Sequence, residues 1–231
     1  MHAKDFKAVN YDTFDTEVAE SLVKRLAEFD DVFSTVSDIE ARENGTSRNY
    51  CAGFTGEADS VKTTERRFCK CLYYTNTKNK VKTECKKCVL RDRQADGYHA
   101  QLAQNFEVIY YEFVPTDKGS GVGNVDLILA DENFAYLTEV KPEHGNSETL
   151  LRMFLEIETY SRVTALGKQY RQVVGDKPLR KAILFFKDSP QYRDFMDTTR
   201  AMNTKKLLSM FGVSVLCAEI KEGKVLIKAI G

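Results

Sequence analysis

The sequence predicts an α/β protein in which helices flank a mixed β-sheet. Three observations carry that expectation. Segments rich in aromatic and β-branched residues alternate with segments whose apolar residues recur at helical spacing. The strand-like segments come first as an antiparallel run and then singly between helices, which requires both senses of strand pairing in one sheet. The composition is that of a folded chain, with 231 residues, 42% apolar, 11% aromatic, 29% charged and four prolines. At about 150 residues per domain, this length suggests one domain with an insertion or extension.

Val18, Leu22, Leu26 and Phe29 recur at helical spacing behind acidic residues and predict a helix over 16–30. Residues 37–66 are polar and glycine-containing, an irregular connection. A cysteine-rich basic block fills 62–93, and Ala95, Tyr98 and Leu102 then suggest a short helix over 93–104. Phe106 to Phe113 reads as a strand, Thr116 to Gly123 as a loop and Val125 to Ala130 as a second strand. A turn at Asp131-Glu132-Asn133 leads to a third strand, Phe134 to Lys141, stopped by Pro142. Leu150, Phe154, Ile157 and Tyr160 mark a helix over 147–165. Strand 181–186, helix 190–209, strand 213–220, a turn at Glu222-Gly223 and strand 224–230 complete the expectation. The longest purely apolar run, Ala182 to Phe186, has five residues, against the roughly 20 that a membrane-spanning helix needs. With no apolar signal core at the N-terminus, a cytoplasmic protein with no membrane partner is expected.

The formal net charge of zero hides an uneven distribution. Residues 1–61, an acidic helical region, carry a net of −7; residues 62–93 carry +8; residues 94–231 carry −1. The basic block also holds four of the six cysteines. Chain organisation therefore reads as an acidic region over 1–61, a basic cysteine-rich module over 62–93 and a core over 94–231.

The sharpest chemical signal lies in the core. Glu139 and Lys141 are two apart on a strand and share a face. With the turn centred on Glu132-Asn133, Asp126 falls directly opposite Glu139. Two carboxylates and a lysine then converge, a hard-oxygen donor set for Mg²⁺ or Mn²⁺ beside a group able to assist an attacking water or a phosphate. A solvated Glu–Lys pair on a half-exposed strand is the plainer alternative. Against it, Asp126 sits in the apolar run Val125, Leu127, Ile128 and Leu129, where an unpaired charge is costly. The preceding Gly119-Ser-Gly-Val-Gly123 permits close approach of a phosphate backbone.

Gly123-Asn-Val-Asp126, a short hairpin, and Glu139-Val140-Lys141 resemble the PD-(D/E)XK nuclease superfamily, and the resemblance covers about 93–230. Glu156-Ile-Glu-Thr-Tyr160 looks like the Gln-X-X-X-Tyr motif of its RecB-like branch, with Glu in place of Gln. The resemblance implies a restriction-endonuclease-like sandwich. In it Asp126, Glu139 and Lys141 would be catalytic, and Asp126, Glu139 and the Val140 carbonyl would hold the metal. It further implies a ligand from the helix before the first strand, for which His99 is the candidate, with Asp96 and Glu112 behind it. Glu112, Glu156 and Tyr160 stand as accessory residues.

Cys69-Lys-Cys71 and Cys85-Lys-Lys-Cys88 have the paired spacing of a tetrahedral structural zinc site. Cys51 can replace one member. An iron–sulfur cluster is disfavoured, because RecB-like clusters use three cysteines downstream of the core and only Cys217 lies there. Arg66, Arg67, Lys70, Lys86 and Lys87, interleaved with Phe68, Tyr73 and Tyr74, suit phosphates and bases. The expected function is a metal-dependent nuclease acting on DNA, RNA not being excluded, with a protein partner or homodimer allowed. The alternative is a non-catalytic nucleic-acid-binding or adaptor protein on the same fold.

Overall fold

A computed structural model describes residues 65, 68, 69, 72, 73, 76, 101–102, 106–113, 123–141, 148–166, 169–198, 201–221 and 224–231. Its elements run β1 (Gln101–Leu102), β2 (Glu107–Phe113), β3 (Val125–Ala130), β4 (Ala135–Lys141), α1 (Leu150–Leu166) and α2 (Gln169–Val174). There follow β5 (Leu179–Phe186), α3 (Pro190–Met196), α4 (Met202–Met210), β6 (Val213–Lys221) and β7 (Lys224–Ala229). The strands form one sheet in the order β1-β7-β6-β5-β4-β3-β2, with β1 contributing only two residues at its edge. β2–β3–β4 is an antiparallel meander, β4–β5–β6 is parallel, and β7 returns antiparallel to β6. The sheet is therefore mixed and carries helices, as the alternation of patterns predicts.

Burial follows the pairing. β4 lies at the junction of the antiparallel and parallel halves, and all seven of its residues are buried. A strand covered on both faces reads as a continuous run rather than as an alternation. On one face Ala135, Leu137, Ile183 and Phe185 pack with Leu151, Phe154 and Ile157 of α1, Phe195 of α3 and Leu207 of α4. On the other face Leu127, Leu129, Val140, Leu184 and Phe186 pack with Phe68, Cys69, Leu72 and Tyr73. These last four residues and Glu65 are helical. Their spacing of three and four residues places them on one side of a helix. Asn76 ties this segment to the sheet edge: its Nδ2 donates to the Leu72 carbonyl at 2.7 Å and its Oδ1 accepts the Leu102 N–H at 3.0 Å.

A capped turn joins β3 to β4. Asp131 Oδ1 accepts the N–H groups of Asn133 and Phe134, each at 2.8 Å, and Oδ2 accepts the Tyr136 hydroxyl at 2.6 Å. Lys177 donates to the Asp131 carbonyl. Burial works to raise the Asp131 pKa, but these hydrogen bonds together outweigh it and hold the group below the usual carboxylate range. The Tyr136 phenol is pushed up to about 12, by burial first and then by Asp131.

Three expectations are corrected. Gln101–Leu102 is a strand, paired in parallel with Lys224 and Val225 of β7, where the periodicity suggested the end of a helix. The helix expected over 190–209 is two helices. Ser189 caps the first by accepting the Tyr192 N–H, and Asp197 ends it with an extended ψ of 117°. Asp197-Thr-Thr199, whose short polar side chains compete with helical hydrogen bonds, explains the interruption. The six-residue α2 was not expected, because it is too short to show a period. The acidic region over 1–61 lies outside the described residues, as do most of the 62–93 block and His99.

Candidate metal centre

The β3–β4 register is that expected from the turn: Leu127 pairs with Thr138, Ile128 with Leu137, Leu129 with Tyr136 and Ala130 with Ala135. Beyond Leu127 the Asp126 carboxylate enters the ladder, its Oδ2 accepting the Val140 N–H at 2.8 Å. That bond holds Asp126 against the end of β4, beside Glu139. Val140 turns its side chain into the opposite core, leaving Glu139 and Lys141 on the α1 face.

Four carboxylates surround one ammonium. Lys141 Nζ lies 2.5 Å from Glu139 Oε1, 2.9 Å from Glu148 Oε2, 3.1 Å from Glu65 Oε2 and 3.6 Å from Glu156 Oε2. Arg152 adds a second cation at the rim, 3.2 Å from Glu156 Oε1 and 3.4 Å from Glu148 Oε1. Glu148, Arg152, Glu156 and Tyr160 recur every fourth residue, so the start of α1 and the residues before it present one polar stripe to the site. Glu65 arrives from the opposite side, one turn ahead of Phe68 and Cys69 on the helical segment.

Burial of this much negative charge dominates the electrostatics. Asp126 and Glu139 are pushed well above the usual carboxylate range by burial; Glu65 raises Asp126 further, and Asp126 raises Glu139 further. Glu65 is also raised, by burial first, although Lys141 opposes the shift. For Lys141, burial favours loss of its proton, yet Glu139, Asp126, Glu65 and Glu156 outweigh burial and hold the ammonium charged far into the alkaline range. Among the described residues, Asp126, Glu139 and Glu65 crowd one ammonium, and buried like charge of this kind favours uptake of protons or a cation.

The donor set fits a hard divalent cation. One oxygen each from Glu65, Asp126 and Glu139 lie within 4.8 Å of one another, and Glu139, Glu148 and Glu156 form a second such group. Glu139 is 3% exposed, and its Oε2 has no hydrogen-bond partner of normal geometry among the described residues. An orphaned buried carboxylate oxygen is costly, and a cation would satisfy it. All of these donors are oxygens, which suits Mg²⁺ or Mn²⁺ rather than a soft metal.

Asp126, Glu139, Lys141, Glu156 and Tyr160 are thus brought together. Tyr160 is 5% exposed, and its phenol is pushed far up by burial and then by Glu139, Glu156 and Asp126. Gly123 approaches it so closely that a Cβ there would lie 3.0 Å from the Tyr160 hydroxyl, and its φ of +93° is one that L side chains rarely adopt. Glu112 sits on β2 between the pairs Tyr111–Leu127 and Phe113–Val125, with a φ of 49°, and belongs to neither carboxylate group.

Sequence reasoning missed Glu65 and Glu148. The helical spacing of Phe68, Leu72 and Tyr73 with Glu65 was legible but was masked by the cysteine pairs. The four-residue repeat from Glu148 through Glu156 was the signal for the other. Cys69 is 2% exposed in the core, its thiol raised by burial and then by Asp126, Glu65 and Glu139. Cys71, Cys85, Cys88, Arg66, Arg67, Lys70, Lys86 and Lys87 lie outside the described residues. Cys217, expected as a small core residue, is buried in β6. No helix among the described residues is long and apolar enough to cross a membrane. Comparison with protein-family models, with curated proteins and with solved structures finds no match to the chain.

Proposed function

We propose that the protein is a divalent-cation-dependent nuclease of the PD-(D/E)XK type, hydrolysing phosphodiester bonds in nucleic acid, with DNA as the first substrate to test. The observation that carries this reading is the convergence of Asp126, Glu139 and Lys141 at the open end of the β3–β4 hairpin, with Glu65 as a third carboxylate. Asp126, Glu139 and Glu65 would hold Mg²⁺ or Mn²⁺, which when bound polarises the phosphate and lowers the pKa of a water. The cation would share the carboxylate charge now borne by Lys141, so that the ammonium can meet the phosphate or the attacking water. Glu65 would supply the third ligand; His99, the candidate for that role in the sequence, lies outside the described residues. A restriction-endonuclease-like core is the corresponding fold, and the antiparallel hairpin running into parallel β5 supports it.

The same reading includes structural zinc and DNA contact by the basic block. Burial and the neighbouring carboxylates disfavour a Cys69 thiolate. Zinc would therefore take Cys71, Cys85 and Cys88 first, with Cys51 as the fourth ligand in place of Cys69. Metal content of the purified protein tests this point directly.

For the nuclease itself, single-stranded, duplex and branched DNA are incubated with Mg²⁺ or Mn²⁺. Cleavage is expected from the parent protein. Asp126→Ala and Lys141→Ala should lose it by at least a hundredfold while still binding DNA. Cleavage undiminished in both variants overturns the assignment. DNA binding without turnover under either metal favours the adaptor reading instead.

A further inference from the structure

At the rim of the carboxylate site lies a cation with no part in holding a metal. Arg152 belongs to the first turn of α1, where its backbone N–H donates to Thr149 Oγ1 at 3.2 Å. Glu148 and Glu156 lie one helical turn to either side of it. The guanidinium reaches both, with Nε 3.4 Å from Glu148 Oε1 and Nη2 3.2 Å from Glu156 Oε1. The second oxygen of each carboxylate faces inward, 2.9 Å from Lys141 Nζ for Glu148 and 3.6 Å for Glu156. Each glutamate therefore stands between an inner ammonium and an outer guanidinium, and a single carboxylate group spans the gap between the two cations.

This layering sets what an anionic substrate meets first. The Lys141 side chain is 4% exposed and that of Arg152 30%. A phosphodiester arriving from solvent comes upon Arg152 while Lys141 is still behind the carboxylates. Glu65, Glu148 and Glu156 repel it at that stage, so a cation at the rim lets a polyanion close on a site of this sign. The guanidinium is also prearranged. A solvated ion pair leaves a long side chain free to wander, whereas a carboxylate one turn away on each side holds Arg152 over the cleft. A planar fork fixed in this way suits two-pronged recognition of a phosphate.

We infer that Arg152 contacts the substrate directly, binding a non-bridging oxygen of the phosphodiester at the mouth of the cleft, in front of Lys141. The inference rests on the reading of this cleft as a phosphodiester site. It adds a substrate contact from α1 to the constellation at the end of the hairpin.

Fluorescence anisotropy of labelled single-stranded and duplex DNA with the intact protein tests it, in Ca²⁺ and over a range of salt concentrations. Ca²⁺ is a hard cation suited to these oxygen donors, and a gel checks that the probe stays intact. Each phosphate contact contributes about 0.7–0.9 to the slope of log affinity against log salt. Arg152→Gln should bind at least tenfold more weakly, with its slope lower by about that amount. Arg152→Lys keeps a cation for the phosphate and should hold the parent slope. An arginine that only braces Glu148 and Glu156 predicts the parent slope in both variants. Circular dichroism checks folding, and Arg152→Met replaces the glutamine variant if that one does not fold. An unchanged slope on loss of the charge overturns the inference, as does a parent that binds no DNA. A parent that binds DNA without cleaving it under Mg²⁺ or Mn²⁺, with the slope still falling in Arg152→Gln, defeats the nuclease reading and supports the phosphate contact. Cleavage by the parent, with a slope indifferent to Arg152, does the reverse.

Discussion

At the scale of the residue, the site is governed by protons as much as by geometry. A carboxyl whose folded-state pKa lies above its unfolded value binds its proton more tightly in the folded protein. The stability it contributes is therefore present at low pH and lost as pH rises through the raised value. Asp126, Glu139 and Glu65 all shift in that direction, burial being the first cause for each. Lys141 shifts upward too, but its contribution is lost only above the ordinary lysine range, at about pH 10. Without metal, the site should weaken folding progressively as pH rises above about 4, the ordinary carboxylate value. Asp131, lowered by its hydrogen bonds, works in the opposite direction, so the difference between the parent and Asp126→Asn isolates the site. Thermal unfolding in EDTA should show the variant gaining on the parent between pH 4 and pH 8 (on the order of 1 kcal/mol or more), and Mg²⁺ should narrow that gap. A gap that is independent of pH would remove the electrostatic account.

At the scale of the element, the helical face made by Phe68, Cys69, Leu72 and Tyr73 closes one side of the sheet and carries Glu65 to the carboxylates. Leu72 is fully buried, so Leu72→Ala should cost about 2–5 kcal/mol, the range for a large-to-small change in a packed core. Urea unfolding measures that loss, and Mn²⁺ titration should show weakened binding through the displaced Glu65. A loss below 0.5 kcal/mol would mean that the segment is not part of the core. The spacing of this face was masked for a physical reason: its apolar residues are few and interleaved with Arg66, Arg67, Lys70 and a Cys-Lys-Cys pair that has a stronger pattern of its own. The hairpin was legible because a two-residue period and a capped turn leave one register. β1 was illegible because two residues in parallel pairing, stabilised by a remote partner, leave no local trace. The second carboxylate group was half legible, through Glu156 but not Glu148.

At the scale of the whole molecule, the mixed sheet and its flanking helices were expressed in the order of periodicities. Which helix face met which strand was not, since that depends on packing between distant segments. β4 sits where these levels meet, buried along its length and ending in Glu139 and Lys141. At its other end β4 begins at Ala135, four residues and about 13 Å of strand from Glu139, just after the turn held by Asp131. A slip of one residue in this hairpin would carry Thr138 and Val140 into the charged cleft and bury Glu139 and Lys141 in the opposite apolar layer. Asp131→Ala should therefore lower stability by about 1–3 kcal/mol, leaving the Tyr136 hydroxyl without its acceptor, and should also weaken Mn²⁺ binding at a place the side chain never touches. Unchanged Mn²⁺ affinity in that variant would separate the turn from the site. If the coupling holds, the turn acts as a remote setting for the chemistry: inactivating changes can arise where no substrate reaches, and screens confined to the cleft would overlook them.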